Sequence, residues 1–288
     1  MQDGKPFAPG GALRALAYHM LWVGAEGLQK AADACLCLAA GLLRREDLHA
    51  ASQLQWRRFN TTADEVDAGL DIWERRFYDA LLCASDRVLL VGCGAGRDLL
   101  HLRELGYDVT GLEPVPELVE LAQKHLARRN LSATLQTACI ESYDLDGMYD
   151  VVLLAGGCYS YVHPSAMRVS TLAKIKSHLC AGGRLVITYT GFAPRSPFAV
   201  WLTGMGARIG RADWRPERGD SFSRGYAARR LLKHEHRFHP SEVARECAAV
   251  GLQVIRTEST GTSLCCAVVV PETDNPDGQP GDPADASR

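Results

Sequence analysis

The stretch from Arg87 to Asp98 constrains the fold more than any other. Val88-Leu89-Leu90-Val91 is a short apolar run that ends directly on Gly92-Cys93-Gly94-Ala95-Gly96. Four consecutive apolar residues stopped by glycines suit a strand buried on both faces. The glycines allow a tight turn and let the main chain approach a ligand where a Cβ would collide. Asp98 to Leu105 then carries helical spacing and stops at Gly106. A strand that turns on glycines into a helix aims free N–H groups and the positive dipole end at whatever lies beyond the turn.

The same rhythm repeats downstream. Asp108–Leu112 reads as a strand, Pro116–Arg129 as a helix, Ala133–Gln136 as a strand and Asp150–Leu154 as a wholly buried one. Ser165–Leu179 reads as a helix, Gly182-Gly183 as a turn and Arg184–Tyr189 as a fifth strand. Ser241 caps a helix that ends at Gly251, and Leu252–Arg256 with Leu264–Val270 close the fold as a strand pair. Apolar strands alternating with helices imply a parallel sheet covered on both faces.

Two segments lie outside this rhythm. Residues 1–83 form a helical extension with amphipathic helices expected over Ala12–Leu43, Arg45–Phe59 and Ala63–Cys83. Leu13 to Leu43 is rich in Ala and Leu, but Arg14, His19, Glu26, Lys30 and Asp33 interrupt it as they would no uninterrupted membrane span. Residues 190–239 are arginine-rich, from Arg195 to Arg237, and read as a basic lid insertion over a substrate. Two roles stay open for those arginines: attracting an acidic substrate, or pairing with surface acids. From residue 271 to 288 the chain is rich in Pro, Asp and Gly, as a flexible tail would be.

Composition narrows the function classes. Among 288 residues, 47% are apolar and 23% charged, enough for a sizeable core. The formal net charge of −2 argues against a dedicated nucleic-acid binder. Ten cysteines occur without any Cys-x-x-Cys pair, so a zinc ribbon or redox pair is not expected, and no metal site is read. Reduced thiols and the lack of a compact basic leader fit a cytoplasmic protein.

About 20 residues beyond the glycine loop, at the end of the second strand, stands Glu113 in Gly111-Leu112-Glu113-Pro114. A carboxylate there can accept hydrogen bonds from both ribose hydroxyls of an adenosine. The dinucleotide fingerprint needs Gly-x-Gly-x-x-Gly, which Arg97 denies. Together the loop and Glu113 resemble the first motifs of class I S-adenosylmethionine-dependent methyltransferases. Asp150-Val151-Val152 resembles their fourth-strand motif, and Leu179-Cys180-Ala181-Gly182-Gly183-Arg184 the turn before their fifth strand. The resemblance covers Arg87 to Tyr189, and Phe238 to Val270 in outline.

That resemblance implies an α/β, Rossmann-like domain over residues 84–270. Its seven-stranded, mostly parallel sheet would carry helices on both faces and the lid between strands five and six. It also implies the cofactor S-adenosyl-L-methionine, with S-adenosyl-L-homocysteine as product. Gly92, Cys93 and Gly94 would contact the methionine part, Glu113 the ribose and Pro114 the adenine. Cys139, Ile140 and Glu141 would line the adenine pocket, with Ala155 and Gly156 under the sulfonium. Leu90 and Cys139 stand where many members have acids.

The residues after the fourth strand, Gly156 to His163, are where such enzymes place acceptor and catalytic groups. Asn-Pro-Pro-Tyr, common where nucleobase nitrogens are methylated, is absent. Tyr159 and His163 are the candidate bases or orienting groups, although each also has an ordinary packing or capping role open to it. The expectation is a small-molecule O- or N-methyltransferase, with Trp56 and Phe59 able to cover the cofactor. A binding module without turnover, and a lipid-directed enzyme touching a membrane through its N-terminal helices, are the alternatives.

Overall fold

The computed structural model describes residues 10–58, 62–192, 196–259 and 263–272. Five strands are mutually parallel: β1 (Arg87–Val91), β2 (Asp108–Leu112), β3 (Thr134–Gln136), β4 (Tyr149–Leu154) and β5 (Leu179–Thr190). A hairpin of β6 (Asp220–Arg224) and β7 (Leu232–His236) stands apart from them. The strand β9 (Leu264–Pro271) runs antiparallel to both β5 and β8 (Leu252–Ser259). The main sheet thus has seven strands in the order β3-β2-β1-β4-β5-β9-β8, mostly parallel as expected.

The chain moves outward from β1 to β3 on one side, then returns to start β4 on the other. That reversal opens a crevice beyond the carboxyl ends of β1 and β4, where ligands bind open α/β sheets. Side-chain alternation divides β1 between two cores. Val88 and Leu90 join one cluster with Leu99 and Leu102, and Leu89 and Val91 join the other with Leu172 and Ile175. Leu89 and Leu90 are both fully buried, each contributing about 1.5–3 kcal/mol. This explains why Leu90 carries no acid: its side chain faces packed helices, not solvent.

The N-terminal extension departs from expectation in two ways. Helix α1 (Ala12–Gly41) buries only Cys37, Ala40 and Gly41, while Leu13, Leu21 and Trp22 stand exposed. It is therefore not an amphipathic helix laid along a core. Its C-terminal end packs on α8 (Pro197–Ile209), and a Cβ on Gly41 would lie 2.2 Å from the Thr203 carbonyl oxygen. The second helix, α2 (Arg45–Trp56), follows the expected span.

The single helix expected over Ala63–Cys83 is two: α3 (Ala63–Asp67) and α4 (Ile72–Leu81). Gly69 takes φ 70° between them, and Asp71 restarts the helix by donating its N–H to Glu74 Oε2 at 2.8 Å. Phe59 and residues 273–288 of the expected tail lie outside the described residues.

The four crossover helices α5 (Arg97–Glu104), α6 (Pro116–Arg128), α7 (Ser165–Ser177) and α9 (Pro240–Ala248) cover the sheet. The insertion expected as a lid contains structure that its charge pattern hid: the helix α8 and the β6–β7 hairpin. Trp214 ties it to the N-terminal extension by donating its indole N–H to the Leu43 carbonyl at 2.8 Å.

Candidate active site

The glycine turn after β1 is held open from both sides. The N–H groups of Gly92 and Cys93 donate to the Leu112 carbonyl at 2.8 and 3.1 Å, and the Ala155 N–H donates to the Val91 carbonyl at 3.0 Å. These bonds tie the carboxyl ends of β1, β2 and β4 together. Gly94 lies at φ 52°, and a Cβ built on it meets nothing within 4 Å. The turn therefore presents backbone, not side chain, to the open space in front of α5.

That space is a cavity of about 470 Å³. Gly92, Cys93, Gly94, Glu113 and Pro114 form its floor, and Cys139, Ile140 and Glu141 one wall. Ala155 and Gly156 also line it. All ten residues expected around a cofactor thus meet in one place. The Cys139–Glu141 wall is fixed by Lys174 on α7, whose ammonium donates to the carbonyls of Ile140 at 2.5 Å, Glu141 at 3.2 Å and Tyr143 at 2.7 Å. Nothing in sequence spacing links Lys174 to that loop.

Glu113 is the one carboxylate at the floor. Its Oε2 accepts the Gly94 N–H at 3.0 Å and its Oε1 accepts the Val115 N–H at 3.1 Å. Each oxygen keeps a further lone pair for a ribose hydroxyl. Burial pushes its pKa up to about 7, although the two N–H donors pull it down. A half-buried glycine turn without side chains in the way and a half-satisfied, desolvated carboxylate beside it fit the methionyl and ribose parts of S-adenosylmethionine.

The roof comes from the N-terminal extension. His49, Gln53 and Trp56 of α2 line the cavity, and so do Trp73 and Glu74 of α4. Glu74 reaches Arg97 at 2.6 Å and so joins the roof to the helix behind the glycine turn. Trp56 meets the Tyr161 ring edge-on at 5.1 Å. Trp56 was expected to cover the site; His49 and Gln53 were not, because a helical pattern alone does not say which face meets the pocket.

The acceptor end is built differently from expectation. Tyr159 is fully buried, and its hydroxyl donates to Glu246 Oε2 at 2.6 Å while its ring stacks on Phe238. Burial, and then Glu246, raise its pKa well above the usual phenol value. Tyr159 also lines the cavity, while its hydroxyl proton is committed to Glu246. Arg168 supports the same carboxylate with bonds of 2.7–3.1 Å and also reaches Glu217 at 3.0 Å.

His163 does line the cavity, with a side chain 3% exposed. Its Nε2 stands 3.5 Å from Asp220 Oδ2, and neither ring nitrogen has a hydrogen-bond partner. His234, from β7, lines the cavity beside it, the two rings 5.1 Å apart and nearly perpendicular. Asp220 Oδ1 lies 3.2 Å from His234 Nε2 and 2.9 Å from His236 Nδ1, while Oδ2 accepts the Glu217 N–H at 2.7 Å. Burial works against the Asp220 charge, but the imidazoles around it outweigh burial and hold its pKa well below the usual carboxylate value.

Among the described residues of the basic insertion, His234 alone lines the cavity, and no arginine does. Lys233 and Arg237 instead pair with Glu235 at 2.8 Å. The described arginines of the insertion therefore do not contact the pocket directly. All ten cysteines are free thiols, and burial raises Cys93 well above its usual value and Cys139 to about 11. Among the described residues, no helix is long and apolar enough to cross a membrane.

A reversal of strand order, a glycine turn and an acidic residue at the end of β2 are arranged as the resemblance to class I S-adenosylmethionine-dependent methyltransferases implies. Comparison with known proteins agrees with this resemblance: residues 88–183 match the model of a methyltransferase domain. A putative methyltransferase, YqeM of Bacillus subtilis, is 28% identical over 109 residues, 37% of this chain and 44% of the relative. The ubiquinone biosynthesis O-methyltransferase of Xanthomonas euvesicatoria is 27% identical over 177 residues, 59% of this chain and 64% of the relative. The chain therefore spans less than two thirds of the length of these relatives. In fold it is similar to the glycopeptide N-methyltransferase MtfA, solved with S-adenosyl-L-homocysteine: TM-score 0.51 at 20% identity, covering 68% of this chain and 87% of MtfA.

Proposed function

We propose that the protein transfers a methyl group from S-adenosylmethionine to an oxygen or nitrogen of a small molecule. The observation that carries this reading is the continuity of one cavity, from the Gly92–Gly94 cradle and Glu113 at one end to His163 at the other. Its volume of about 470 Å³ suits small ligands, and residues of α2 and α4 line it.

When bound, the cofactor supplies a methyl group on a sulfonium, already an activated electrophile. The chain's own part is to hold, align and dry. The Gly92–Gly94 backbone and Glu113 fix one end of the cavity, and the Lys174-pinned wall fixes the adenine side. His163, with both ring nitrogens unpartnered, is the polar group that orients the acceptor. Alignment of this kind carries much of the rate in an in-line displacement. The test is calorimetry with S-adenosylhomocysteine followed by an acceptor screen read as its formation. Micromolar binding and turnover with a small hydroxylated or amino compound are expected; no binding would remove the reading.

A second reading is favoured by the exposed Leu13, Leu21 and Trp22 of α1 together with Phe198 and Trp201 of α8. In it the acceptor is a lipid met at a membrane surface, because interfacial helices present aromatic and aliphatic side chains in this way. Liposome flotation separates the two: a protein that stays with the aqueous phase has no such surface role.

A further inference from the structure

His163, His234 and Asp220 are three buried side chains whose ligand atoms lie within 4.8 Å of one another. Two imidazoles and a carboxylate are a common donor set for Zn²⁺, Fe²⁺, Mn²⁺ and Co²⁺. Ligand atoms around a four-coordinate ion with bonds of about 2.0–2.1 Å stand about 3.4 Å apart. Here His163 Nε2 is 3.5 Å and His234 Nε2 is 3.2 Å from the two Asp220 oxygens. Both distances to Asp220 are thus near that spacing, and all three ligand atoms lie within 4.8 Å of one another.

An independent observation aims at the same point. A buried imidazole normally finds hydrogen-bond partners, yet His163, 97% shielded, has none at either nitrogen. Its 3.5 Å separation from Asp220 is too long for a good hydrogen bond and suits a shared ion instead. His236 and the Glu217 N–H hold the Asp220 carboxylate in place at 2.9 and 2.7 Å. Nearby, the carboxylates of Glu217, Glu242 and Glu246 face the Arg168 guanidinium, and His236 also reaches Glu217 at 3.6 Å and Glu242 at 3.0 Å.

We infer that His163, His234 and Asp220 form a binding site for a divalent transition-metal ion at the acceptor end of the cavity. The site differs from what the sequence suggested, since no metal was read there. Both histidines line the cavity, so the positions left open on the ion face the acceptor. They fit an acceptor that carries a hydroxyl or carboxyl oxygen. This last step rests on the methyltransferase reading; metal binding itself does not.

The experiment is titration of the chelator-treated full chain with Co²⁺, followed by visible absorption, alongside calorimetry with S-adenosylhomocysteine. One equivalent of Co²⁺ should bind with the visible band of a low-coordinate nitrogen–oxygen site. His163→Gln should abolish that band while leaving S-adenosylhomocysteine binding intact. His163 meets Asp220 only at 3.5 Å, so glutamine replaces a long contact; His234→Gln is the second variant, and its band should vanish too. No band in the unaltered protein, or the same band in both variants, overturns the site. Loss of S-adenosylhomocysteine binding in the unaltered protein with the Co²⁺ band present would instead remove the methyltransferase reading and keep the metal.

Discussion

Cofactor affinity should depend on pH through Glu113. In the free protein burial raises this carboxyl from the ordinary 4.5 to about 7. Ribose hydroxyls donate to the ionised form, so a bound cofactor draws the pKa back down. If it returns to the ordinary value, the difference of about 2.5 units corresponds to about 3.4 kcal/mol at 1.36 kcal/mol per unit. The sign follows from the raised value. Stability contributed by the protonated form is full below about pH 4.5 and is lost as pH rises through about 7. Cofactor affinity moves the opposite way: the proton must leave on binding, so affinity climbs from acid toward pH 7 and levels off above it. Between about pH 5.5 and 8 the expected gain is about 30-fold. Calorimetry with S-adenosylhomocysteine in buffers of different ionisation enthalpy reads both the affinity and the released proton, close to one per ligand near pH 6. Glu113→Gln should flatten the profile and weaken binding at pH 8 by about 1–3 kcal/mol. A profile already flat in the unaltered protein, or a slope that survives in the glutamine variant, refutes the ribose assignment.

Two further outcomes follow from backbone and charge. Gly94→Ala and Gly106→Ala each place a Cβ at positive φ in open space, at a strain of about 1–2 kcal/mol, but only Gly94 faces the cavity. Isothermal titration should show at least tenfold weaker S-adenosylhomocysteine binding for Gly94→Ala and unchanged binding for Gly106→Ala; equal affinities would mean the loop is not the cradle. Arg168→Met leaves the buried Glu246 without its guanidinium and should cost about 3–5 kcal/mol in urea unfolding. A loss under 1 kcal/mol would show that the carboxylates there are protonated or solvated.

Much of the fold was legible because local pattern and global topology agree. The apolar runs at Val88–Val91 and Asp150–Leu154, each stopped by glycine or followed by a helical period, are buried on both faces and became adjacent parallel strands. The break at Gly69 was written in the chain as well. Asp71-x-x-Glu74 is a capping box, but the hydrophobic spacing ran across it and suggested one helix. The hairpin β6–β7 was hidden for another reason. Its strands, Asp-Ser-Phe-Ser-Arg and Leu-Lys-His-Glu-His, carry their buried polar residues toward one another, so no apolar alternation marks them.

The same distinction runs through the site. Residues within one βα turn, or at the end of a neighbouring strand, have their positions set by short-range geometry. Gly92 to Gly94, Glu113 and Ala155 could therefore be placed from the motifs and the family resemblance they carry. What closes the cavity could not. The roof residues His49 and Gln53, the clamp Lys174 and the triad of His163 with Asp220 and His234 are brought together across long stretches of chain. Tyr159 shows the cost of proximity in sequence: it lies between Cys158 and Ser160 at the expected spot, yet Glu246, from α9, turns its hydroxyl into the core. Sequence determined the sheet and the glycine cradle, since these depend on periodicity and on backbone freedom, and its resemblance to a known family pointed to the cofactor. Only the packing of the inserted hairpin and the N-terminal helices decided which polar side chains face the acceptor, because that choice rests on contacts with no fixed spacing along the chain.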